Sequence, residues 1–100
     1  MEKYDVLISP AAQSDFQSVL EFLGTLPAEE SDLYFEKFME EVNTLRNAPK
    51  SCPFTRDPQL RLRGYRILSA MDYLLFFIMN GSGVEIRRIL YAKRQYDKLV

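Results

Sequence analysis

The sequence predicts an α+β fold. An N-terminal strand leads into an antiparallel two-helix hairpin, which packs on a mainly antiparallel four-stranded sheet in the order β-α-α-β-β-β, with a short helical tail at the C-terminus. Three observations carry this expectation. Residues 72–79 and 84–91 are strand-like runs flanking Asn80-Gly81-Ser82-Gly83, a turn rich in residues that tolerate positive φ. Between residues 10 and 47 the apolar residues recur at helical spacing instead. The run Tyr73–Met79 (YLLFFIM) is apolar at every position, as suits a central strand covered on both faces.

Tyr4–Ile8 (YDVLI) is the first strand. Ser9-Pro10 then starts a helix, with Ser as N-cap and Pro at the first helical position, where its missing N–H is harmless. Ala12, Phe16, Val19, Leu20 and Leu23 form its apolar face, and Gly24 ends it. Pro27 opens a second helix, from about Ala28 to Asn47. Its stripe is Phe35, Phe38, Val42 and Leu45, widened by Tyr34 and Met39, with Glu29, Glu36, Lys37, Glu40 and Glu41 opposite. Pro49, Pro53 and Pro58 break residues 48–60 into an irregular loop. Tyr65–Ala70 begins the three-stranded meander. The helix hairpin covers one face of that sheet, leaving the other to the chain's own loops or to a partner.

One hundred residues with 47% apolar content suit one domain, 1–100, with a well-filled core. The single Cys52 excludes an internal disulfide and reads as a plain thiol. No stretch approaches the ~20 apolar residues of a membrane span and the N-terminus lacks a signal-peptide pattern, so a soluble cytoplasmic protein is expected. The charge is asymmetric. Residues 1–50 carry four Lys/Arg against ten Asp/Glu, and residues 51–100 carry nine against four, so −6 and +5 sum to the net −1. The basic half suits an anionic partner, and equally an attraction between the two halves.

Histidine is absent, which removes imidazole bases, Ser-His and Cys-His pairs and the commonest metal ligand. No metal site and no cofactor are expected, and Gly81-Ser82-Gly83 lacks the strand-to-helix context of a phosphate loop. What remains near the sheet is Arg61, Arg63, Arg66, Arg87, Arg88, Lys93, Arg94, Tyr91 and Tyr96. Arginines can clamp phosphates and tyrosines can stack on unpaired bases. Alternation along the last strand places Val84, Ile86, Arg88 and Leu90 on one side and Glu85, Arg87, Ile89 and Tyr91 on the other. The two adjacent arginines therefore diverge, and one is expected to pair with a helix carboxylate.

The stretch VLISPAAQSDFQSVLEFL, the ending VEIRRILYAKRQYDKL and the element order together resemble the RelE/ParE superfamily of type II toxin–antitoxin toxins, often described as plasmid stabilisation proteins. The resemblance spans nearly the whole chain. Its most specific piece is I-x-R-I-L-x-x-x-R-x-Y, here Ile86, Arg88, Ile89, Leu90, Arg94 and Tyr96. It implies a small bacterial cytosolic toxin that inhibits growth and is neutralised by a cognate antitoxin. RelE-like members cut mRNA in the ribosome without a metal, using basic residues and a tyrosine, whereas ParE-like members poison DNA gyrase.

On the RelE pattern, Arg66 and Arg94 match catalytic positions, and the terminal tyrosine is either replaced by Val100 or supplied by Tyr96, which is then the third catalytic candidate. Arg61, Arg63, Arg88 and Lys93 would hold RNA. Leu68 and Leu74 occupy positions that are basic in that pattern, and the His-Tyr pair of YoeB-like members is absent. The leading expectation is thus a ribosome-dependent mRNA endonuclease. The alternatives are a gyrase inhibitor without nuclease activity, and a degenerate toxin acting only through antitoxin binding.

Overall fold

The computed structural model describes residues 3–93, so the expected helical tail, Arg94 and Tyr96 lie outside the described residues. The chain runs β1 (Asp5–Ile8), α1 (Pro10–Leu23), α2 (Ala28–Val42), α3 (Thr44–Asn47), a 3-10 turn (Pro49–Ser51) and α4 (Pro58–Leu62). The strands β2 (Arg66–Ala70), β3 (Tyr73–Asn80) and β4 (Gly83–Tyr91) follow. The sheet order is β1-β4-β3-β2, with β1 parallel to β4 and the other two pairings antiparallel. The α+β architecture read from the sequence is the one present. Among the described residues no helix is long and apolar enough to cross a membrane.

Ser9 caps α1 as its sequence requires: its hydroxyl oxygen accepts the Ala12 N–H at 3.1 Å. The same hydroxyl donates to the Arg87 carbonyl at 2.9 Å, which pins the start of α1 to β4. The second helix is shorter than its periodicity predicts. It breaks at Asn43, where Arg46 N–H turns back to the Asn43 carbonyl in a tighter bond, and α3 then buries Leu45. Phe38 is 1% exposed, but Phe35, expected in the core, is 38% exposed. Tyr34, Phe38, Val42 and Leu45 are the residues that face the sheet, and Phe35 lies to one side of that seam.

Both faces of β3 are covered. Tyr73, Leu75 and Phe77 point towards α1 and α2, in a cluster with Val19, Phe38 and Leu45. Phe76 points the other way and packs with Leu60, Tyr65 and Leu90, flanked by Leu74 and Ile78. The chain's own α4 and Tyr65 thus provide the second cover. Asp57 caps α4 by accepting the Gln59 and Leu60 N–H groups, and Pro58 stands at its first turn. This is the same Ser/Asp-then-Pro grammar that starts α1, and it corrects the irregular loop expected over 48–60.

A bulge corrects the alternation expected on β4. Phe76 pairs with Arg88 but Phe77 pairs with Ile86, leaving Arg87 as the extra residue. Beyond it the side-chain phase inverts, so Ile89 joins Val84 and Ile86 on the helix side and Leu90 packs with Phe76.

Candidate functional site

The bulge assembles a basic cleft. Arg87 and Arg88 lie beside the start of α1 at Ser9, and the turn after α4 brings Arg63 and Tyr65 against them. The cleft has a volume of about 360 Å³. Arg63 is exposed, with its guanidinium carbon 5.3 Å from the centre of the Tyr65 ring, a cation–π distance. Tyr65 is 4% exposed. Arg87 pairs with Glu85 at 2.9 Å, both side chains partly in solvent.

Arg88 is bound more firmly. Its Nε and Nη2 donate to the two oxygens of Asp15 on α1, at 2.7 and 3.1 Å. The hydrogen bond to Asp15 raises the Arg88 pKa above the ordinary arginine value, outweighing the opposing effect of burial. This is the helix carboxylate that one of the paired arginines was expected to meet.

Of the residues singled out from the sequence, the structure therefore gathers Arg63 and Arg88. It brings in Arg87 as well, which the sequence singled out near the sheet without a site role, and adds Tyr65 and Ser9, which the sequence did not single out for a site. Arg87 stands at the bulge, which carries no residue signature in a sequence of β-formers, and the tertiary fold brings Ser9 and Tyr65 to it.

Arg66 is elsewhere. It pairs across the sheet with Phe77 of the helix-side cluster, whereas Tyr65 belongs to the opposite cluster. Its Nη1 donates to the Cys52 carbonyl at 2.7 Å and to the Lys50 carbonyl at 3.4 Å. The same guanidinium lies 4.0 Å over the Phe54 ring. Arg66 thus clamps residues 50–54 against β2. Arg61, on α4, and Lys93, after β4, are exposed, and neither lines the cleft. Cys52 is buried, which pushes its thiol pKa up and keeps it protonated. Among the described residues no group of three or more His, Cys, Asp or Glu could hold a metal ion.

A second surface is apolar. Leu7 on β1 is 64% exposed, and on the opposite, helix-facing side of the strand a groove is lined by Val6, Ile8, Met39, Val42 and Ile86, with Asn43 and Arg46 at it. Among the described residues β1 is an edge strand of the sheet, and the groove lies along it.

These features define a small α+β protein with a helical hairpin on a mixed sheet, a basic cleft on one side and an apolar edge on the other. The chain belongs to the ParE toxin family of type II toxin–antitoxin systems (parDE), whose family model matches residues 6–96. Among solved structures it is similar to a chain of the chromosomal ParDE toxin–antitoxin system from P. aeruginosa. The TM-score is 0.68 at 17% identity, covering 90% of this chain and 97% of that one. No curated protein matches it.

Proposed function

We propose that the chain, 1–100 as one domain, is a growth-inhibiting toxin that acts in the cytoplasm by binding DNA gyrase rather than by cutting RNA. The observation that carries this choice is the state of Arg66. A nuclease arginine must present its donor fork to a phosphate, whereas Arg66 directs Nη1 at the Cys52 carbonyl and lays its plane on Phe54. Arg88, similarly, directs two of its three guanidinium nitrogens, Nε and Nη2, at Asp15. Membership of the ParE rather than the RelE branch supports the same reading. A cognate antitoxin silences the toxin by covering the apolar edge at Leu7 and the neighbouring groove, a surface suited to an added strand or helix.

The test is a gyrase supercoiling assay with the purified protein, run beside a cell-free translation reaction in which mRNA ends are mapped by primer extension. Inhibited supercoiling with intact mRNA is the expected result. Ribosome-dependent cuts inside codons, lost in Arg66→Ala and Arg94→Ala, would replace this reading with the ribosome-directed one. In that reading Arg66, Arg94 and Tyr96 act on the phosphate while Arg61, Arg63, Arg88 and Lys93 hold the RNA.

A further inference from the structure

We infer that the pocket between α1, the end of β4 and the turn joining β2 to β3 binds an arginine side chain presented by a partner protein. The pocket, about 380 Å³ in volume, shares no lining residue with the basic cleft. Its aromatic walls come from three elements. Tyr73 on β3 is buried to all but 9%, and its ring lies 6.5 Å from that of Phe22 on α1 and 6.0 Å from that of Tyr91 on β4. Interplanar angles of 62° and 73° set both neighbours steeply to Tyr73, so the three rings do not close into one stack. Phe22 and Tyr91 are 38% and 42% exposed, which leaves aromatic surface in solvent around the pocket.

Charge decides what such a pocket takes. Asp15 and Asp72 line it, and among the described residues no Lys or Arg does. Arg88 neutralises Asp15. Asp72 accepts the Tyr34 hydroxyl at 2.7 Å but forms no ion pair among the described residues, so one negative charge stays unmatched. Ring faces and a carboxylate both attract a cation, and both repel an anion. Arginine fits better than lysine, because its planar, weakly hydrated guanidinium stacks on rings and forks onto a carboxylate. The exposed rim favours a polypeptide over a free cation: residues flanking the arginine can cover Phe22 and Tyr91, as around an interfacial anchor. Nothing in this requires gyrase, and the binding is tested on the toxin alone.

The experiment follows backbone amides by NMR during titration with a blocked tripeptide of arginine between two leucines. The same peptide with citrulline or lysine at its centre runs in parallel, as does methylguanidinium. The arginine peptide should saturably shift the amides of Asp72, Tyr73 and Ile89 and leave that of Leu60, in the opposite cluster, in place. The citrulline peptide has nearly the same shape without the charge and should bind roughly tenfold more weakly. Asp72→Asn keeps an acceptor for Tyr34 and should also lose roughly tenfold. Tyr91→Leu keeps apolar bulk without a ring and should weaken binding ~3-fold or more. Glu36→Gln, on the outer face of α2, should bind as the parent does, and matching melting temperatures would show that every variant is folded.

Failure of the arginine peptide to give a saturable shift would overturn the inference. So would equal binding of the citrulline peptide, Asp72→Asn or Tyr91→Leu proteins that bind like the parent, or an equal loss in Glu36→Gln. Tighter binding of the lysine peptide would overturn the assignment to arginine, and tighter binding of methylguanidinium the assignment to a polypeptide.

Discussion

Asp15 on α1 and Arg88 on β4 form a two-point ion pair, and the Asp15 oxygen that meets Arg88 Nε also accepts the Ile89 N–H at 2.9 Å. The reason lies in the length of β1. That strand pairs with β4 only as far as Ile86, so beyond it the outer edge of β4 has no strand neighbour among the described residues. α1 lies along that edge, and one carboxylate satisfies both an exposed ladder donor and the guanidinium beside it.

Removing this carboxylate should therefore be costly. The two side chains are only 26% and 14% exposed, so Asp15→Ala takes the shared acceptor from a partly buried guanidinium and from the Ile89 amide. The expected loss is roughly 2–3 kcal/mol in urea unfolding. Asp15→Asn retains an acceptor for Ile89 and should lose less. Equal losses in the two variants would mean that charge contributes nothing here.

Phe38 is the centre of the helix-side core. Its ring stacks on Phe16 at 6.3 Å and meets the Tyr73 ring edge-on at 6.0 Å. Phe38→Ala should destabilise by ~3–5 kcal/mol, and Phe35→Ala, on a half-exposed residue, by under ~1 kcal/mol. Similar losses from both would contradict the seam described for α2.

The ease with which each feature could be read from the sequence follows how local its cause is. Ser9-Pro10 and the glycine turn at Gly81, whose φ is +62°, act within a few residues, and both elements stand where expected. Asp57-Pro58 carries the same start signal as Ser9-Pro10, but the three nearby prolines made it read as a breaker. The bulge at Arg87 depends on how two strands fit, so the phase of Ile89 and Leu90 could not be read from β4 alone. The cleft depends in turn on the bulge. Its residues come from positions 9, 63, 65, 87 and 88, brought together only by the tertiary fold.

Tyr34 gives the protein an alkaline limit. Its hydroxyl donates to the Asp72 carboxylate at 2.7 Å and accepts the Asp72 N–H at 3.3 Å, tying α2 to the turn between β2 and β3. Burial, reinforced by that carboxylate, pushes the phenol pKa up to about 12 from its ordinary 10.0. The folded state therefore favours the neutral phenol. The stabilisation is complete below the unfolded pKa near 10 and is lost as pH rises towards 12. Unfolding of the parent and of Tyr34→Phe, followed from about pH 9 to about pH 12, should show the stability gap closing over that window. Tyr73, also shifted upward, is present in both proteins and cancels. A gap that stays constant would show that Tyr34 titrates alike in both states.

Arg66 separates a structural arginine from a catalytic one. Its bond to the Cys52 carbonyl and its position over Phe54 hold residues 50–54 against the outer edge of β2. There Ile67 N–H bonds the Pro53 carbonyl and Thr55 N–H bonds the Tyr65 carbonyl, both at 3.0 Å. Arg66→Ala should lose about 1–2 kcal/mol. Arg66→Lys should lose nearly as much, because an ammonium keeps the charge but not the planar stack. Hydrogen exchange gives the sharper reading. The Thr55 and Ile67 amides should exchange faster in both variants while those of Leu75 and Phe77 in β3 stay protected, since only the edge is released. Under the gyrase-binding function proposed above, both variants should inhibit gyrase as the parent does at temperatures where they remain folded. Loss of inhibition with exchange unchanged would move Arg66 from the scaffold to the target-binding surface.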